Sequence, residues 1–221
     1  MDKSALRDAA TIVLHREGRA GPEVLMGQRG AKAAFMPNKF VFPGGAIDPG
    51  DVGIAMAAPP SPNCITRLKQ SSTNDVTHSA PIAAIRELWE ETGLILGEQA
   101  SWSDPPDDWL NFANAGFRPD ARALEFVFRA VTPPGRPRRF DARFFLTDAV
   151  ALRGDPDDFS NASDELSHLQ WIPLTETRNF DLPFITQIVL REVSAVLEVG
   201  AIHSVPFVQN DDPVSSITRL R

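Results

Sequence analysis

One cysteine in 221 residues, Cys64, leaves no internal disulfide to form and is at home in a reducing compartment. The four histidines, His15, His78, His168 and His203, are scattered, and none stands at zinc-ligand spacing from Cys64. A basic excess is absent: the net charge is −7, so no overall positive field invites nucleic acid or an anionic membrane surface. No apolar run approaches the ~18 residues of a membrane span. The opening MDKSALRDAATIVLHREG lacks the apolar core of a secretion signal, and the closing ITRLR is not a peroxisomal address. Cytoplasm is the expected compartment, nucleic acid and membrane are not expected partners, and a homodimer is compatible with everything read so far. An anionic substrate would need metal ions or a few local arginines to draw it in.

What is present is ordinary in bulk, 43% apolar and 23% charged, enough for a sizeable core. Residues 9–16 and 22–29 read as strands around the turn EGRAG, and 39–45 as a short strand entering a glycine turn. Residues 49–81 are rich in Pro, Ser, Thr and Asn, lack sustained periodicity, and read as an inserted loop with room for one helical turn. Residues 81–94 carry Pro81 at the head and Gly93 at the tail of an expected helix. A short helix is expected within PPDDWLNFANAG, strands at 123–132, 138–149 and 167–174, and an amphipathic helix at 181–200. In that last helix Phe184, Ile185, Ile188, Val189, Val193, Val196 and Leu197 are assigned to the core face. Strands around one early and one late helix predict an α/β sandwich, one domain over residues 1–221 with an insertion at about 52–80.

The segment RELWEETGL concentrates acid. On a helix Glu87, Glu90 and Glu91 share about a third of the circumference, with Ile82, Ile85 and Trp89 opposite. Like charges at these spacings destabilise a helix by about 0.2–0.5 kcal/mol per pair. A solvated face is the plain reading of three such acids. The fuller pattern outweighs it, because its chance occurrence at average residue usage is on the order of 1 in 100,000 for this length.

That pattern, Arg-Glu-Leu-x-Glu-Glu-x-Gly-Leu from Arg86 to Leu94, is the second half of the Nudix box, and the chain resembles Nudix hydrolases. The first half is PGGAIDPGD, with Asp51 where the family usually has Glu and residues 52–85 where it usually has seven. The long insertion, with FMPNKFVFPGGAID before it and PRRFDARFFLTDA after it, resembles the branch containing the peroxisomal coenzyme A diphosphatase and its bacterial relatives. The resemblance implies a Nudix-like α/β/α sandwich with a mixed β-sheet and a Mg²⁺- or Mn²⁺-dependent cleavage of a phosphoanhydride in a small nucleotide-type molecule. Hard divalent cations take oxygen ligands and keep several waters, so a few carboxylates suffice to hold them. By resemblance Glu87 and Glu91 are the main metal ligands, Glu90 adds a carboxylate and the Gly44 carbonyl completes the sphere. Glu87 is also a candidate base, and Arg86 is expected to pair with acids inside the motif.

Upstream, LMGQRGAKAAFMPNKFVFPGG aligns with a motif of coenzyme A-cleaving relatives. It keeps Leu25, Arg29, Phe42, Pro43, Gly44 and Gly45, but has Gly27, Gly30, Ala34 and Asn38 at the other marked positions. Coenzyme A or an acyl derivative is one substrate class; nucleotide sugars, dinucleotides and nucleoside triphosphates are the others, and a non-catalytic nucleotide sensor is the rival function. Arg29 and the basic run holding Arg139 and Arg143 are candidate phosphate contacts, since guanidinium groups grip phosphate bidentately, although a solvated turn explains the run equally. Glu165, in the loop before the 167–174 strand, is a further candidate acid or a plain surface residue. The insertion is expected to be a mobile lid or rim governing substrate choice.

Overall fold

A computed structural model of the chain describes residues 5–31, 36–211 and 214–221, so Ala34 lies outside the described residues. In chain order the strands and α-helices are β1 (Leu6–Gly18), β2 (Gly21–Arg29), β3 (Phe40–Val41), β4 (Gly44–Ala46), α1 (Pro62–Lys69), α2 (Ser79–Thr92) and β5 (Gly97–Gln99). They continue with α3 (Leu110–Asn114), β6 (Phe117–Pro119), β7 (Glu125–Val131), β8 (Arg139–Asp148), β9 (Leu166–Pro173), α4 (Phe184–Val199), β10 (Val205–Asp211) and β11 (Val214–Leu220). The main sheet runs β11-β10-β7-β8-β1-β2-β3, with β4 paired to β1 and β9 to β2. It is mixed: β1 lies parallel to β8 and β7 to β10, while the other pairs are antiparallel.

Alternation along β1 builds the layers. Ala10, Ile12 and Leu14 face one side, where α1, α2 and α3 contribute Leu68, Ile82, Ile85, Leu88 and Phe112. Val13 faces the other, where α4 supplies Val189, Leu190 and Val193. The result is the expected α/β/α sandwich. Fully burying each such aliphatic side chain stabilises the fold by about 1.5–3 kcal/mol. Among the described residues no helix is long and apolar enough to cross a membrane.

Three expectations need correction. Phe184, assigned to the core, is 77% exposed. It stands five residues before Val189, which turns its direction by roughly 140° from the buried stripe. Residues 205–211 and 214–220, to which the sequence pattern assigned nothing, form the antiparallel pair β10 and β11 at the sheet edge. The outer strand there, VSSITRL, is mostly polar and exposed, so apolar alternation does not betray it.

The third correction concerns the insertion, which is built into the fold. After a 3-10 turn at Pro49–Gly53, Ser61 caps α1 by accepting from the Cys64 N–H at 3.1 Å. Cys64 and Leu68, one turn apart, join Ile54 and Val76 in the same core as α2. Burial pushes the Cys64 thiol up to about 12, so it serves as an apolar side chain. Residues 70–74 close over buried charges on the sheet. Arg129 donates to Asp141 at 2.8 and 2.6 Å and to the carbonyls of Gln70 and Ser71 at 3.2 and 3.0 Å. Arg143 donates to Asp8 at 2.7 Å and to the Ser72 hydroxyl at 3.0 Å, and Asn74 donates to Asp8 at 2.7 Å. Short apolar spacings inside a polar segment hide such a docking from sequence periodicity.

Candidate active site

The site is made where β4 meets α2. The helix starts two residues before Pro81, at Ser79, and ends at Gly93, whose φ of +75° suits glycine and whose N–H caps Trp89 O at 2.8 Å. Beside it, the Gly44–Gly45 turn passes so close that a Cβ at Gly45 would overlap the Glu87 carboxylate. The Gly44 N–H donates to Glu91 Oε2 at 2.8 Å.

Arg86 ties the motif together. Its Nε and Nη2 donate to Asp51 at 3.0 and 3.2 Å, Nη2 also to Ala46 O at 3.0 Å, and Nη1 to Glu87 and Glu90 at 2.9 and 3.1 Å. Asp51 is buried and also accepts from the Asp48 N–H at 2.8 Å, closing a capping box on the 3-10 turn. The shorter Asp therefore anchors the loop, because the turn brings the backbone to Arg86.

The three glutamates differ. Glu91 is 1% exposed, and its Oε1 is buried with no hydrogen-bond partner. Burial, then the charge of Glu87, pushes its carboxyl up to about 8 against the help of the Gly44 N–H and Arg29. Burial pushes Glu87 up to about 7, with Arg86 opposing and Glu90 adding to the rise. Glu90 is half exposed and raised, again chiefly by burial. A buried unpartnered carboxylate oxygen and two acids reluctant to ionise are what a hard cation would relieve. Among the described residues no three acid, His or Cys side chains already converge as a cage. Glu87 and Glu90 accept from Arg86 instead, and Glu91 accepts from the Gly44 N–H.

These shifts have a pH consequence. The folded chain keeps protons on Glu87 and Glu91 up to about 7 and 8, whereas their ordinary value is 4.5. Between those limits the native state binds more protons, so stability falls as pH rises from about 5 to about 8. Calorimetry in chelator is expected to show a declining Tm across that window, and a flatter decline in Glu87→Gln, Glu91→Gln. Parallel curves for the two proteins would disprove the assignment.

The other candidates separate. Glu165 is exposed, yet its charge acts on Glu87, Glu90 and Glu91, and its loop docks through Ser163 N–H to Glu90 O at 3.1 Å. Arg29, opposite Leu166 in the β2–β9 pairing, acts electrostatically on Glu91 and has a buried Nε without a hydrogen-bond partner. Arg139 instead donates to Thr132 O at 3.1 Å within the β7–β8 hairpin. Arg143, at 1% exposure, is committed to Asp8, Asp141 and Ser72 beneath the insertion and does not join the box. Trp109 is buried against Phe112, 5.3 Å between centroids.

No family model matches the chain. A solved NUDIX hydrolase from Alicyclobacillus acidocaldarius superposes with a TM-score of 0.67 at 28% identity, over 90% of this chain and 97% of that one. In fold and in sequence, the relatives found for this chain are Nudix hydrolases. Among curated Nudix relatives, nudix hydrolase 7 of Caenorhabditis elegans is 30% identical over 181 residues, 76% of this chain and 52% of that protein. Acyl-coenzyme A diphosphatase NUDT19 of Gallus gallus is 26% identical over 231 residues, 75% of this chain and 60% of that protein. The chain thus spans about half to three-fifths of the length of these two relatives. A Caenorhabditis elegans Ap4A hydrolase, at 19% identity and a TM-score of 0.51, shares the fold.

Proposed function

We propose that this Nudix chain is a metal-dependent hydrolase that cleaves the diphosphate of a small nucleotide-type substrate, with coenzyme A or acyl-coenzyme A the first class to test. The observation that carries it is the buried, unpartnered Oε1 of Glu91 beside a near-neutral Glu87. Glu87 and Glu91, with Glu90 and Gly44, would hold Mg²⁺ or Mn²⁺. A divalent cation supplies charge neutralisation at the diphosphate and lowers the pKa of a coordinated water. Arg29 would grip a substrate phosphate, since its buried Nε has no hydrogen-bond partner among the described residues. Glu165, whose charge acts on all three box carboxylates, would take the proton of the attacking water at its carboxylate. The acyl-coenzyme A class draws support from the kept part of the upstream motif and from the name of the Gallus gallus relative.

A panel of acyl-coenzyme A, nucleotide sugars, dinucleoside polyphosphates and nucleoside triphosphates, each with and without Mg²⁺ or Mn²⁺, tests this reading. Metal-dependent release of two phosphate-bearing halves from coenzyme A is the expected result. Binding of a nucleotide with no turnover of any substrate would favour the sensor. Arg29→Ala is expected to raise KM about tenfold or more, because a charged hydrogen bond contributes about 1.5–3 kcal/mol. A KM within twofold of the parent would remove Arg29 from the substrate site.

A further inference from the structure

Residues 154–165 form a twelve-residue loop without helix or strand, and most of its side chains are exposed. Such a segment has little apolar burial to hold it, yet it carries Glu165. Its entry is pinned by Arg153, which bonds Ile95 O and Gly97 O at 2.9 Å each, and its exit by the β2–β9 pairing. Between them Phe159 packs against the core and the Ser163 N–H reaches Glu90 O at 3.1 Å, and one side chain from β1 grips the segment before them. Arg16 Nη1 donates to both carboxylate oxygens of Asp157, at 2.8 and 2.9 Å. The same guanidinium gives Nε to Glu23 at 3.0 Å and lies 4.4 Å over the Trp171 ring. Trp171 in turn donates its indole N–H to Pro156 O at 3.2 Å.

We propose that Arg16 is a positioning residue, a latch that fixes the 154–165 loop so that Glu165 faces the box carboxylates. The proposal rests on the reading of Glu165 given above. An isolated exposed ion pair contributes little, but this guanidinium is oriented before the loop arrives, by Glu23 below and Trp171 beside it. Ordering of the loop then costs less, and the planar group can meet Asp157 in only one direction. Lysine, a single point donor on a flexible stem, cannot hold Glu23 and Asp157 while stacking on the indole.

Asp157→Asn is the diagnostic variant, because the Asp157 side chain is 58% exposed and no core packing is lost. In metal-free protein its amides from 157 to 163 are expected to exchange about tenfold faster, with the rest of the chain unchanged. At saturating metal, kcat should fall about tenfold, the scale of a small misplacement, with KM nearly constant. Arg16→Met should match it and Arg16→Lys should restore little. In a Glu165→Gln background, Asp157→Asn should cause no further loss, since both act through one carboxylate. Unchanged exchange in Asp157→Asn, or losses that multiply with Glu165→Gln, would overturn the latch. Faster exchange together with normal turnover in Glu165→Gln would uphold the latch and remove Glu165 from the chemistry.

Discussion

Glutamine at position 91 is expected to leave the protein folded and to lower kcat at least about 10³-fold at saturating Mg²⁺, more than the 10–100-fold loss usual for a residue that merely supports a metal ligand. The side chain is 1% exposed, and one of its oxygens has no protein partner. An amide retains the oxygen that accepts from the Gly44 N–H and nearly the same volume. It removes the negative charge that burial makes so costly, so in chelator the variant should melt no lower than the parent at pH 8. Loss of activity with gain or retention of stability separates a functional carboxylate from a packing one. Turnover within tenfold of the parent would end the metal-site reading of Glu91, whatever the metal affinity elsewhere in the chain.

Removing the insertion is expected to unfold the protein. Replacing residues 55–77 by a short Gly/Ser linker deletes Cys64, Leu68 and Val76 from the core that packs α2. A buried leucine alone costs about 2–5 kcal/mol when truncated, and whole domains have only about 5–15 kcal/mol to lose. The deletion also strips Arg129 and Arg143 of the carbonyls and hydroxyl of residues 70–72 while Asp141 and Asp8 stay behind. Buried charges left half-partnered add to the loss. Circular dichroism and calorimetry should show no cooperative transition, and Leu68→Ala alone should lower Tm by several degrees. A deleted protein melting like the parent with altered KM ratios across the substrate panel would restore the mobile lid expected from composition.

What the sequence determined by itself is local. The acidic stripe Glu87, Glu90, Glu91 and its glycine stop, the β1–β2 and β7–β8 hairpins and the late helix follow from spacings within a few residues, where periodicity and turn chemistry act. The expectation that Arg86 pairs inside its own motif rests on the resemblance, and its partner Asp51 stands 35 positions away. Tertiary structure alone decided which charged side chains are free. Arg29, Arg139 and Arg143 look alike in sequence, but Asp8 and Asp141 take Arg143 and Thr132 takes Arg139, while the buried Nε of Arg29 has no hydrogen-bond partner among the described residues. The insertion, polar in composition, docks because the sheet beneath it carries buried arginines that need its backbone carbonyls. Arg16 and Asp157 lie 141 positions apart, and nothing near either one announces the other. A charge's partner is set by what the fold lays across from it, and that is a long-range fact no local spacing encodes.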